Sequence, residues 1–239
     1  MKKFLTFMLF LLIVLVILSE IVLPRVVTNI LEEQIMRATA AQSVDLSIDS
    51  TPNVKTAFGT VDKIHGTASV GRLGEVDFKE LSLDGENISL DIPEIISPSE
   101  NLSDKERGDK IIKYAGKLEL HGIITAEDLL AYLEKKVDRL QNAEVKITPE
   151  EVSAHGEVKI MGRTAEVELA GKFVADGGDI YFEMTNLNVK NSLLRHFQID
   201  SLLGDVKILN GDDLPAKLKY DSVELRDGEI LVTAVKSRD

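Results

Sequence analysis

The first 23 residues form the most hydrophobic segment of the chain. Two lysines precede the run Phe4 to Leu23, which is interrupted only by Thr6, Ser19 and Glu20. At 1.5 Å rise per residue, a helix of about 20 residues spans the roughly 30 Å hydrocarbon core of a bilayer. Residues 1–23 are therefore predicted to form an N-terminal transmembrane helix that serves as a membrane anchor.

A cleaved signal peptide is the alternative for this segment. Signal cleavage needs small residues at the −3 and −1 positions, and cleavage after Ser19 would place Ile17 at −3. This mismatch favours an uncleaved anchor. More basic residues precede the span than follow it, which favours a cytoplasmic N-terminus. On either interpretation, residues 24–239 are predicted to be one extracytoplasmic domain.

Two helices are predicted from apolar positions that recur every three or four residues. The first follows Pro24, and its apolar stripe runs from Val27 to Ala38. The second begins at Thr125, which forms a variant of the capping box with Asp128. Leu129, Leu130, Leu133, Val137 and Leu140 form its apolar face. A third, shorter helix is predicted over Asn191 to Leu203, before Gly204.

Most of the remaining chain alternates apolar and polar residues, which is typical of strands. The predicted strands cover 44–48, 64–70, 76–78, 81–83, 88–92, 117–124, 152–160, 165–173, 180–184, 218–225 and 229–235. Turns are predicted at Asp84-Gly85, at Asp176 to Asp179 and at Asp227-Gly228. Residues 98–110 have no period and are predicted to be a surface loop. The pattern therefore predicts an α+β fold with antiparallel strands.

Composition and charge exclude several functions. The chain has 40 acidic and 28 basic residues, a formal net charge of −12. A nucleic-acid-binding protein needs a basic face, so no nucleic-acid partner is predicted. Cysteine is absent, which excludes disulfides and thiolate metal sites. Hydrophobic residues make up 44% of the chain and aromatic residues 5%, so any apolar cavity should be mostly aliphatic.

Catalytic motifs are missing from the sequence. There is no G-x-S-x-G elbow, H-E-x-x-H pair, P-loop or dinucleotide-binding glycine motif. The four histidines are scattered, and His155 falls on the polar side of its strand. We therefore predict no catalytic residues, no metal ligands and no cofactor.

Small residues recur on the apolar sides of the predicted strands. They are Gly66, Ala68, Ala154, Gly156, Ala165 and Gly171. Such residues allow a helix to pack closely against a sheet, or allow the sheet to bend and leave a groove for an alkyl chain. The two interpretations are compatible, because one helix need not fill a long groove.

The order of these elements resembles the LmeA-type family of bacterial phospholipid-binding proteins over about residues 24–235. The resemblance rests on Leu23-Pro24 before a helix, the strand Val44 to Ile48, Pro52, Gly66 in a strand, Leu81-Ser82-Leu83, Ile88 to Ile92, Ile124 to Leu129 at a helix start, and the strands from Val145 to Val189. Asn191 to Leu203 departs from the family, because this segment lacks the proline of many relatives.

The resemblance implies an envelope protein that binds phospholipid without known catalytic residues. It also implies a long, curved antiparallel sheet wrapped around an amphipathic helix, as in tubular lipid-binding proteins. Some family members are linked to the assembly of envelope lipoglycans. The implied partners are a phospholipid and, through the N-terminal helix, the cell membrane; a protein partner is not identified.

Burial of acyl chains supplies a physical reason for such binding. Each buried CH₂ is worth about 0.8 kcal/mol, so a ~16-carbon chain gains on the order of 13 kcal/mol before costs. A groove of aliphatic residues can therefore bind an acyl chain favourably without any reactive group. The predicted lipid-binding residues are Leu129, Leu133 and Val137 on the helix, and Val152, Val158, Ile160, Val167, Leu169, Phe173, Ile180, Phe182 and Met184 on the sheet.

Two other functions remain compatible with the sequence. An envelope scaffold or partner-binding protein would pack the same residues into a dry core. An extracytoplasmic enzyme would need a reactive polar residue, for which the sequence offers no good candidate. Bound phospholipid in the purified protein distinguishes the first prediction from a scaffold, and turnover of lipid esters would identify an enzyme.

Overall fold

A computed structural model describes Met8 and residues 25–137, 140–160, 163–190 and 205–236. The predicted membrane segment 1–23, apart from Met8, and the predicted helix Asn191 to Leu203 lie outside these residues. Within the described ranges, no helix combines the length and the hydrophobicity needed to span a bilayer. The fold is described below from residue 25 onwards.

The described part is an α+β fold whose strands are all antiparallel, as predicted. Six strands form the first sheet, in the order β1-β2-β3-β4-β11-β10. Their bounds are β1 Ser43–Asp49, β2 Thr60–Leu73, β3 Val76–Leu90, β4 Ile112–Thr125, β10 Leu218–Arg226 and β11 Glu229–Lys236. The helices around it are α1 over residues 25–39, α2 Val54–Ala57, α3 Ile92–Ile96 and α4 Asp104–Ile111.

The remaining five strands form a second sheet, in the order β5-β6-β7-β8-β9. They are β5 Leu140–Ile147, β6 Val152–Ile160, β7 Arg163–Asp176, β8 Asp179–Lys190 and β9 Asp205–Leu209. Helix α5, Ala126–Lys136, packs against β3, β4 and β5 and so lies between the two sheets. The expectation of one long sheet is corrected: the strands divide into two sheets.

Strand β10 joins the two sheets. The Tyr220 amide donates a hydrogen bond to the Gly178 carbonyl in the β7–β8 turn, at 3.1 Å. The Gly228 amide donates to the Ile147 carbonyl at the end of β5, also at 3.1 Å. The predicted turns at Asp176 to Asp179 and Asp227-Gly228 are therefore confirmed, and each contributes one of these bridging contacts.

One face of the first sheet is buried, and its residues line up across all six strands. From β1 to β10, the paired residues of one such row are Leu46, Gly66, Leu83, Leu120, Ala234 and Tyr220. The same face carries the fully buried Leu118, Ile124 and Ile230. Helices α1, α4 and α5 contribute to the core on this face, so it is where a site can form.

Two sequence predictions in this region are wrong. Asp84-Gly85 is not a turn, because β3 continues through it to Leu90. The buried positions change from Gly85 to Ile88 and Leu90 across Asn87, which adopts a φ of +53° within the strand. Asn tolerates the left-handed region better than most residues do. The predicted surface loop 98–110 is also corrected, since α4 begins at Asp104.

Candidate functional site

An apolar cavity lies between helices α1 and α4 and the buried face of the first sheet. The cavity has a volume of about 210 Å³. Residues from each wall include Leu31 and Ile35 of α1, Leu46 of β1, Gly66 and Ala68 of β2, Leu81 and Leu83 of β3, Ile111 of α4, Leu118 and Leu120 of β4, and Leu218 of β10. This cavity is the candidate functional site.

The cavity walls are almost entirely aliphatic. Among the described residues that line the cavity, only Gln34, Thr39, Thr67 and Arg107 have polar side chains. An unfilled aliphatic space is unfavourable in a protein interior, since its walls lose dispersion contacts without gaining hydrogen bonds. The arrangement therefore suits a long apolar ligand.

Small residues of β2 provide part of the room. Gly66 and Ala68, both identified from the sequence, line the cavity. A Cβ on Gly66 would lie 2.8 Å from the Leu46 Cδ1 atom. Glycine at this position lets the Leu46 side chain lie over β2 instead of extending into the open space. Of the small residues singled out in the sequence, these two line the cavity; a groove for an alkyl chain stays a prediction.

Helix α4 is fixed at its N-terminus by a capping box. The Ser103 hydroxyl accepts a hydrogen bond from the Glu106 amide at 3.3 Å, and Glu106 Oε2 accepts from the Ser103 amide at 2.9 Å. These bonds satisfy backbone donors that a helix start leaves unpaired. Hydrogen bonds from the Ser103 amide and hydroxyl lower the pKa of Glu106 below its ordinary value. The cap therefore sets the position of Arg107, the next residue.

Helix α4 also contacts the segment that precedes β10. Gly108 lies so close to Pro215 that an added Cβ would be 2.4 Å from the Pro215 Cβ. The Asp109 carboxylate accepts a hydrogen bond from the Lys217 amide at 3.3 Å and pairs with Lys105 Nζ at 2.9 Å. These contacts hold α4 against β10 and close this side of the cavity.

Two buried polar atoms in the cavity walls have no hydrogen-bond partner. The Gln34 amide nitrogen donates to the Ile95 carbonyl at 3.1 Å, but its Oε1 atom is unpaired. The Nε atom of Arg107 is also buried and unpaired. Most buried polar atoms in native proteins are paired, so each exception needs an explanation.

The residues predicted to bind lipid lie elsewhere. None of the eleven whose side chains are described lines the cavity, and the side chain of Ile160 lies outside the described part. Leu129 is buried in α5, Leu133 is half-buried, and Val137 is the C-cap of that helix.

The sheet residues of that prediction belong to the second sheet. Val152, Phe173, Ile180 and Phe182 are buried, and Val158, Val167, Leu169 and Met184 are half-buried. Phe173 and Phe182 are directly paired across β7 and β8, and their ring centroids are 5.3 Å apart in an edge-to-face arrangement. The structure thus brings these residues together, but in a separate place from the cavity. Their role in lipid binding stays a prediction.

Sequence reasoning missed the wall that α4 provides. Arg107, Gly108 and Ile111 all line the cavity, but Arg107 and Gly108 fall in the segment predicted to be a loop. The usable signal was Ser103 followed three residues later by Glu106, which is the capping-box pattern of a helix start. The strongly polar composition of residues 98–110 masked this signal.

A cluster on the second sheet contains residue types that ligate metal ions. Ligand atoms of His155, Glu166 and Glu168 lie within 4.8 Å of one another. The Lys190 ammonium already lies 3.1 Å from Glu166 and 2.6 Å from Glu168, and His155 Nε2 is 2.9 Å from Glu166. Hydrogen bonds from His155 and Lys190 lower the pKa of Glu166. A metal ion would have to displace Lys190, so we interpret the cluster as a cross-strand ion network.

Comparison with known proteins identifies the family. No curated protein and no solved structure matches the chain significantly. A family model of LmeA-like phospholipid-binding proteins matches residues 18–235, a range that includes every wall of the cavity. The chain therefore belongs to the LmeA-like phospholipid-binding family, as its order of elements predicted.

Proposed function

We propose that the protein holds the acyl chains of a phospholipid in the cavity between α1, α4 and the six-stranded sheet. The observation that carries this proposal is the almost entirely aliphatic cavity, of about 210 Å³, in a member of a phospholipid-binding family. Transfer of acyl chains from water into such a space is favourable by about 0.8 kcal/mol per CH₂. The proposed role is lipid handling without catalysis.

We further propose that the protein acts at the cell membrane as a single-pass envelope protein, with its domain on the extracytoplasmic side. Support comes from the hydrophobic run Phe4 to Leu23, which leads almost directly into α1. Because α1 is a wall of the cavity, an anchor at its start would hold the cavity close to the bilayer. Tethering raises the effective concentration of lipid at the site, which a net charge of −12 would not attract by itself.

The test uses the full-length chain and a substitution that fills the cavity. Ala68 lines the cavity on β2 and is 4% exposed, so Ala68→Phe places an aromatic ring in the space proposed for the acyl chain. Ser69, its neighbour, is exposed on the opposite face of the strand. Ser69→Phe is therefore a matched control that adds a similar ring outside the cavity.

Native mass spectrometry after incubation with phosphatidylglycerol vesicles measures the result. We expect bound phospholipid on the wild type and on Ser69→Phe, and its loss from Ala68→Phe at an unchanged melting temperature. Ala68→Leu is the smaller step should the larger ring reduce folding. Equal lipid on all variants would place the lipid outside this cavity. A lipid-free wild type would instead support the alternative of an envelope scaffold or partner-binding protein with a dry core.

A further inference from the structure

The two unpaired polar atoms of the cavity complement each other chemically. Gln34 Oε1 is a hydrogen-bond acceptor on α1, and Arg107 Nε is a donor on α4. Both residues line the same apolar cavity. A buried donor or acceptor without a partner is unfavourable, so two in one cavity indicate that a partner comes from a ligand.

The orientation of the Gln34 amide follows from its neighbour. The Ile95 carbonyl can only accept, so the Gln34 nitrogen must face it, at 3.1 Å. The amide oxygen is thereby directed to a different partner. It can accept a hydrogen bond from an O–H or N–H group of a bound molecule.

Acidic residues at α4 and α3 already have partners of their own. Glu106 is held in the capping box, and Asp109 pairs with Lys105 and the Lys217 amide. Asp91, at the start of α3, pairs with Lys113 at 2.9 Å, and Glu94 accepts from Ser99 at 2.7 Å. Across the described ranges, no ion pair is found for the Arg107 guanidinium. Because the chain has a net charge of −12, an unpaired cation at this position is suited to bind an anionic ligand.

We propose that Arg107 binds the phosphodiester of the lipid and that Gln34 accepts a hydrogen bond from a hydroxyl of its headgroup; this rests on the proposed lipid-binding function. The planar guanidinium matches the geometry of two phosphate oxygens, and such charge-assisted bonds are roughly twice as strong as neutral ones. The aliphatic walls contact the acyl chains, and the two polar residues recognise the headgroup. The ligand class is an anionic phospholipid with a hydroxylated headgroup, such as phosphatidylglycerol.

The experiment separates headgroup recognition from acyl-chain burial. The full-length chain is offered equal amounts of phosphatidylglycerol and of diacylglycerol with the same acyl chains, and native mass spectrometry gives the ratio bound. We expect the wild type to prefer the phospholipid by about tenfold or more. Arg107→Gln should abolish the preference and still bind diacylglycerol.

Arg226→Gln is the matched control. Arg226 is exposed on β10, pairs with Glu224 at 3.0 Å and does not line the cavity, yet its loss changes the net charge equally. It should keep the wild-type preference. The lipid-free Arg107→Gln protein should melt at or above the wild-type temperature, because a buried unpaired donor is removed. A lower melting temperature with an unchanged lipid ratio would show that Arg107 is only structural.

Phosphatidylcholine tests the part assigned to Gln34, since its headgroup has no O–H or N–H donor. We expect the wild type to bind phosphatidylglycerol better, and Gln34→Met to bind the two equally. Equal binding by the wild type would overturn this part. Inorganic phosphate should not compete, because it brings no acyl chain; competition at equal concentration would assign the site to free phosphate and overturn the proposal.

The outcomes distinguish headgroup recognition from acyl-chain binding in the cavity. A wild type that binds both lipids equally, with Arg107→Gln unchanged, overturns headgroup recognition but leaves the cavity as an acyl-chain site. A wild type that binds neither lipid overturns the proposed function itself.

Discussion

Gly108 on α4 and Pro215 before β10 are in direct contact, and only glycine permits it. A Cβ on Gly108 would lie 2.4 Å from the Cβ of Pro215, closer than non-bonded carbons approach. Both residues line the cavity, so this contact closes one of its sides. Two segments about 100 residues apart in the chain therefore form one wall.

Gly108→Ala should destabilise the protein although it replaces glycine in a helix. Alanine favours the helix by about 1 kcal/mol, but forcing a methyl group into this contact costs about 1–3 kcal/mol, and more where the backbone must move. Urea unfolding measures the difference. A Pro215→Gly background removes the proline ring atoms and leaves the Cα of residue 215 at 3.6 Å, so the same substitution should become neutral or stabilising. Equal costs in both backgrounds would show that this contact does not constrain α4.

Gly66→Ala and Gly122→Ala should differ strongly, although both are glycines on the buried face of the first sheet. At Gly66 the added Cβ meets the end of the Leu46 side chain at 2.8 Å, and that side chain can move into the cavity. At Gly122 it meets two ring atoms of Phe78, at 2.5 and 2.6 Å, in a ring that is 1% exposed. We expect a cost below about 1 kcal/mol for Gly66→Ala and about 1–3 kcal/mol for Gly122→Ala in chemical denaturation. A similar loss of stability in the two variants would mean that the Leu46 side chain cannot move into the cavity.

The capping box of α4 should contribute stability that depends on pH. Ser103→Ala removes the N-cap and should cost about 1 kcal/mol. The folded pKa of Glu106 is lowered from 4.5 by hydrogen bonds from the Ser103 amide and hydroxyl. A lowered folded pKa means that its contribution is present above pH 4.5 and is lost as the pH falls through the folded value.

Glu106→Gln should therefore lower the melting temperature at pH 7, and the difference from the wild type should shrink as the pH falls below 4.5 through the lowered pKa of Glu106. Glu134→Gln, at an exposed position on α5, is the control and should show no such pH dependence. A constant difference across the pH range would contradict an ionised capping carboxylate.

Periodicity in the sequence is sufficient to predict the helices α1 and α5 and most of the strands, but β5 and β9 were not predicted. The apolar residues of the predicted elements repeat at the spacing that burial on one face requires, as Val27 and Leu31 show. Leu140, expected on the apolar face of the second helix, begins β5 instead, because α5 ends at Lys136.

The turn at Asp84-Gly85 was wrongly predicted, because the sequence does not distinguish a turn from a strand that continues through a left-handed Asn87. The capping box at Thr125 was recognised and the one at Ser103 was not, because α4 has no apolar stripe to accompany its cap.

The division into two sheets and the place of the cavity could not be predicted from periodicity. Alternation shows which residues face inwards, but it does not show which strand becomes the neighbour of which. The pairing of β4 with β11 brings Ile124 beside Ile230, more than 100 residues later in the chain. An empty space depends on how the shapes of distant walls fit, as at Gly108 and Pro215. Only its composition was foreseeable, through Gly66 and Ala68.

Phe182→Ala tests whether the second sheet is core or lipid groove. Phe182 packs edge-to-face on Phe173 and its ring lies over Gly171, where an added Cβ would be 2.6 Å from the Phe182 Cζ atom. Removing a buried ring of this kind costs about 3–5 kcal/mol. Phe58→Ala, at a position that is 83% exposed, is the matched control and should change stability little.

Lipid retention separates the two roles of Phe182. With the lipid in the cavity beside α1 and α4, the folded fraction of Phe182→Ala should retain as much phospholipid per chain as the wild type. Retention is measured by native mass spectrometry at a temperature well below the melting point of the variant. If a folded Phe182→Ala protein lost its phospholipid while Ala68→Phe still bound phospholipid, the lipid groove would lie at the second sheet. In that case the twelve residues predicted from the sequence would be the binding site.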